Sequence, residues 1–87
     1  MSKAILIKAD DWEGLFLDGV LVEEGHTLNE GSSRIKYFIQ LSKQYNFDLG
    51  NMKEVWVTEE DEERLNYNGS FPQTLLELDG DYENTEN

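Results

Sequence analysis

Three features of this sequence predict an α+β fold: an antiparallel sheet of three to four strands, one main helix packed on one face, and a short second helix near the C-terminus. An Asp18-Gly19 pair joins two apolar, β-rich runs, a stretch of helical apolar periodicity ends at about Tyr45, and a capping-box pattern at Thr58-Glu59-Glu60-Asp61 opens a second helical stretch. The 87 residues suffice for a single core, so the chain reads as one domain over 1–78 followed by an acidic, frayed tail over 79–87.

The elements follow in order. Residues 3–9 form a strand with Ile5 and Ile7 on one face and Ala4 and Leu6 on the other. Asp10-Asp11 marks a turn. In Leu15-Phe16-Leu17-Asp18-Gly19-Val20-Leu21-Val22 the Asp-Gly pair suits a type I′ turn, whose two central residues both need positive φ. That register sets Leu17 opposite Val20, Phe16 opposite Leu21 and Leu15 opposite Val22, so both faces of the hairpin are apolar and each needs a cover. Residues 23–33 are a polar connection in which either Thr27 (with Glu30) or Ser32 caps the main helix. Along that helix Lys36, Gln40, Lys43 and Gln44 share one side, and Ile35, Tyr37, Phe38, Ile39, Leu41 and Tyr45 form a wide apolar arc opposite. Residues 46–51 turn the chain, and residues 54–58 are a fourth strand in which Trp56 is expected in the core. The second helix ends near Tyr67-Asn68-Gly69. Residues 70–78 hold Phe71-Pro72, Leu75, Leu76 and Leu78, readable as a last helical turn or as an edge strand; this segment or a second subunit covers the sheet face opposite the main helix.

Charge is the dominant compositional signal. The chain carries 19 acidic and 7 basic residues, a net charge of −12. Residues 1–53 hold eight acids and six bases, whereas residues 54–87 hold eleven acids and one base, Arg64. Such a field repels nucleic acid and anionic membrane and draws in basic partners. An apolar content of 38% still argues for a folded core. There is no cysteine, which excludes disulfides and thiolate metal sites and suits a reducing compartment, and the apolar start Ala4-Ile5-Leu6-Ile7 is too short for a signal peptide or a membrane span. A cytoplasmic location is the expectation.

Chemistry-bearing motifs are few. His26 is the only histidine, and its neighbours Ser32 and Ser33 do not make a catalytic signature. Glycine patterns for phosphate or dinucleotide binding are absent. Asp10, Asp11 and Glu13, or Asp79, Asp81 and Glu83, are carboxylate groups a hard cation could use, but neither has EF-hand spacing, and solvated turns account for both. No catalytic residue, metal or cofactor is expected. The run Glu59, Glu60, Asp61, Glu62, Glu63 reads in two ways. Acids in a first helical turn favour the macrodipole and solubility; crowded carboxylates also imitate duplex DNA, which carries about one phosphate per 1.7 Å of axis. Trp12, between Asp11 and Glu13 at a turn, suits a half-exposed partner anchor.

The segment Asp11-Trp12-Glu13-Gly14-Leu15-Phe16-Leu17-Asp18-Gly19, continuing through Glu24-Gly25-His26-Thr27-Leu28, resembles a stretch of small uncharacterised acidic proteins of bacteriophages and prophages. The resemblance implies a phage-type origin, hence the host cytoplasm, and supplies no activity. The functional expectation is a small, non-enzymatic protein-binding module that occludes a basic, nucleic-acid-binding surface of a host protein. Glu59, Glu60, Asp61, Glu62, Glu63 and Trp12 are its contact residues, and it binds neither nucleic acid nor membrane itself. The alternative is a structural or homo-oligomeric accessory protein, for which the two-faced hairpin speaks.

Overall fold

Alternation along the first strand decides the architecture. In β1 (Ala4–Lys8) Ala4 and Leu6 enter one apolar cluster and Ile5 and Ile7 another, all four buried. A strand apolar on both faces must lie between two layers. The computed structural model describes residues 3–26 and 32–83 and contains both layers. β1 is followed by β2 (Glu13–Leu17), β3 (Val20–Gly25), helix α1 (Ser32–Tyr45), a 3-10 turn at Leu49–Asn51, β4 (Lys53–Trp56), helix α2 (Glu59–Asn68) and a second 3-10 turn at Leu75–Glu77. The four strands lie in the order β3-β2-β1-β4.

The α+β class and the helix on one sheet face are as expected, but the sheet is mixed rather than purely antiparallel. β1 pairs antiparallel with β2, and β2 with β3, whereas β4 runs parallel to β1. The cause is the crossover through α1. β3 runs in the direction of β1, the helix carries the chain back across the face, and the next strand starts from the same end.

The β2–β3 turn has Asp18 at φ 49° and Gly19 at φ 85°, the left-handed pair that a type I′ turn needs. Leu17 faces Val20 and Phe16 faces Leu21 as expected, but Leu15 faces Glu23 instead of Val22, because the register shifts between Leu15 and Phe16. The shift lets Val22 join the α1-side cluster while Glu23 reaches the Tyr45 hydroxyl of α1 at 3.4 Å.

On one side of the sheet α1 buries Phe38 and Leu41 against Ala4, Leu6, Leu15 and Leu17. The expected apolar arc is narrower than its sequence: Ile35 is 66% exposed and Ile39 40%. A helix on a sheet buries only the stripe that faces it. Thr27 and Glu30 of the alternative cap lie outside the described residues. On the other side Leu65 of α2 joins Phe71, Leu75, Leu78 and Tyr82 over Ile5, Ile7, Phe16 and Val55. The segment after α2 therefore covers this face. It does so partly as a bridge, Thr74 to Val20, and partly as the 3-10 turn. The core runs past residue 78: Tyr82 is 2% exposed, so the frayed tail expected from residue 79 does not describe residues 79–83.

Candidate partner-binding surface

Helix α2 presents the acidic run, and its ends are fixed by local chemistry. Thr58 is the N-cap, its hydroxyl accepting the Asp61 N–H, and Gly69 closes the helix in the left-handed conformation at φ 79°, its N–H donated to the Leu65 carbonyl. Four acids in the first turn, Glu59, Glu60, Asp61 and Glu62, lie at the positive end of the helix dipole.

The run divides by direction. Glu59, Glu60 and Glu63 are exposed and Glu62 is half-buried. Asp61, expected to contact a partner, is 0% exposed and cannot reach one. Its carboxylate accepts hydrogen bonds from the Tyr82 hydroxyl at 2.6 Å, the backbone N–H groups of Asp79 and Gly80 at 2.9 Å each, and the Thr58 hydroxyl at 3.1 Å. Burial alone pushes this carboxyl up. The donors from Tyr82, Asp79, Gly80 and Thr58 outweigh it, and the net result lies below the ordinary aspartate value. Burial, and then the hydrogen bond to Asp61, raise the Tyr82 phenol. The Tyr82 oxygen in turn accepts the Thr58 N–H at 3.0 Å, so the cap of α2 and the strap 79–82 form one network. Arg64, on the last turns of α2, is engaged by the Asp79 carboxylate at 3.1 Å and the Glu77 carbonyl.

Trp12 lies on the same side of the sheet as α2, but as an anchored side chain rather than a free one. Its indole N–H donates to Glu24 at 2.9 Å, and its ring meets that of His26 edge-on at 5.1 Å. The same Glu24 oxygen accepts the Phe71 N–H at 2.9 Å, which ties the hairpin to the C-terminal segment. A hollow of about 200 Å³ between Asp11, Trp12, His26, Leu65, Asn66 and Gly69 adjoins the C-terminal half of α2. His26 is exposed, and the side chains of Ser32 and Ser33 lie outside the described residues.

The carboxylate groups considered for a cation do not converge. Glu13 is buried and held bidentate by Arg34 at 2.8 and 3.0 Å, away from exposed Asp10 and Asp11. Asp79 pairs with Arg64 and Glu83 with Lys3. Among the described residues no cluster of three or more His, Asp or Glu could hold a metal ion, and no helix is long and apolar enough to cross a membrane.

Sequence reasoning missed a second surface. Trp56, expected in the core, is 65% exposed on β4, with the Lys8 ammonium 5.0 Å from its ring centroid. Its neighbour Val55 faces the core on the α2 side, and alternation then sends Trp56 and Glu54 to the α1 side. A hollow of about 230 Å³ lies there, lined by Arg34, Ile35, Phe38, Leu49, Met52 and Glu54. No family model matches the chain, and neither curated proteins nor solved structures yield a relative.

Proposed function

We propose that this protein is a non-enzymatic binding module that engages a basic protein surface through the outward-facing glutamates of α2, occluding a site where that partner binds nucleic acid. The observation that carries the reading is the arrangement of Glu59, Glu60, Glu62 and Glu63 around a helix whose inner side, Asp61 and Leu65, is locked into the core. At about 1.5 Å rise per residue the four carboxylates span about 6 Å of helix, a charge spacing near the phosphate spacing of about 1.7 Å in duplex DNA. A fixed scaffold keeps this charge in place at little entropic cost on binding. The same field argues against direct binding of nucleic acid or anionic membrane. A phage-type inhibitor working in the host cytoplasm fits the size and charge of the chain, and the phage origin is carried by the segment around Trp12 alone.

The test is capture from bacterial lysate on immobilised protein at low and high salt. Retention of basic, nucleic-acid-binding proteins that is lost at high salt supports the reading. Retention that is indifferent to salt, or no retention, ends it.

A further inference from the structure

The two edges of the sheet are treated differently. The β3 edge is partly closed by the C-terminal segment, through Leu21 N–H to the Gln73 carbonyl and Leu75 N–H to the Gly19 carbonyl, both at 2.8–2.9 Å. β4 pairs with β1 on one side, and among the described residues no strand lies on the other. Its register against β1 puts Lys8 opposite Trp56, and Val57 N–H donates to the Lys8 carbonyl. Residues 53, 55 and 57 therefore turn their backbone groups inward, and Glu54 and Trp56 turn theirs outward.

We propose that this open edge pairs with the β4 edge of a second copy of the chain, antiparallel and about a two-fold axis at Val55. The geometry leaves few registers. Directly opposed residues that exchange hydrogen bonds must both point outward. Pairing Glu54 with its own copy opposes two carboxylates. Pairing Trp56 with its own copy sets Glu54 against Thr58. Pairing Glu54 with the second copy's Trp56 gives four backbone hydrogen bonds, two in each symmetry-related pair. It also brings each Glu54 to the ring over which the other copy's Lys8 sits, so that the charges match across the axis.

Charge distribution favours this face over any other. Two α2 faces repel each other, whereas the α1 side of β4 carries Lys8 and Arg34 beside Glu13 and Glu54, together with the exposed Trp56 and Ile35. A short edge strand carrying charges is ordinarily guarded against pairing. Here the register offsets like charges instead of opposing them, and Lys53 is tied to the Glu83 carbonyl at 3.0 Å. The pairing joins two sheets into one of eight strands with both α2 helices on the same side, which doubles the acidic face.

Sedimentation across a concentration series tests this. Wild type is expected to reach twice the 10.1 kDa chain mass. Glu54→Pro removes an outward N–H that β1 does not use, so it is expected to stay monomeric and folded by circular dichroism, with a melting temperature that, unlike that of wild type, does not rise with concentration. Glu54→Lys and Lys8→Glu are each expected to weaken association at least about tenfold, and the double variant to restore it to within about threefold of wild type. A wild-type monomer at every concentration overturns the proposal. So does a dimer indifferent to Glu54→Pro and to both charge reversals, since its contact lies on another surface.

Discussion

Replacing Asp61 with alanine separates a structural acid from its functional neighbours. The carboxylate is 0% exposed and receives four hydrogen bonds, three of them from the 79–82 strap. Its removal leaves the N–H groups of Asp79 and Gly80 without their acceptor and the Tyr82 hydroxyl with only the longer bond to the Thr58 hydroxyl at 3.3 Å. At about 1 kcal/mol or more for each, the loss is about 3–5 kcal/mol, a large share of the 5–15 kcal/mol typical of a whole domain. Each kcal/mol lowers Tm by about 4–8 °C in a chain of this size, so a fall of more than about 12 °C is expected by calorimetry. Glu60→Ala, one residue away and exposed, is expected to change stability by no more than about 0.5 kcal/mol. The pH dependence supplies a second check. The folded Asp61 value lies below its ordinary one, so its stabilisation is full above the unfolded value of about 3.9 and is lost as pH falls from there through the folded value. The gap between wild type and Asp61→Ala should therefore narrow on acidification through that window. A variant that melts with wild type, or a gap that is constant with pH, refutes the network.

Two further outcomes follow from the core. Gly19→Val places a β-branched residue at φ 85° and is expected to cost at least about 1–2 kcal/mol in urea unfolding; an unchanged midpoint contradicts the turn. Phe38→Ala removes a ring that is 5% exposed and is expected to cost about 3–5 kcal/mol, against less than about 1 kcal/mol for Ile35→Ala at 66% exposure; the reverse order in thermal melts contradicts the packing of α1.

The hairpin was legible because Asp18-Gly19 states its own backbone requirement, and α1 and α2 because periodicity and caps are local signals. The direction of β4 was not, since no residue in 53–56 records which way a crossover delivers the strand. Trp56 misled for a related reason: a tryptophan between valines reads as core, and only the edge position and the parity of Val55 turn it outward. Within the acidic run, charge alone made five residues look alike. The distinguishing signal was present all the same. Asp61 stands four residues before Leu65, the buried leucine of α2, and therefore on its inner side. Tyr82 was likewise an aromatic residue in an otherwise polar tail, and it marks where the core ends.

Changing Glu59, Glu60, Glu62 and Glu63 together to glutamine decides whether the outward glutamates of α2 form a binding surface. Shape and hydrogen-bonding capacity persist and four charges go, at a small cost from the helix dipole. Wild type and variant, immobilised side by side, are presented with the same bacterial lysate at two salt concentrations. The variant, still folded by circular dichroism, is expected to lose the salt-labile basic proteins that wild type retains, with association slowed more than dissociation is hastened. The same proteins retained by both, with the same salt dependence, would contradict a binding role for these glutamates.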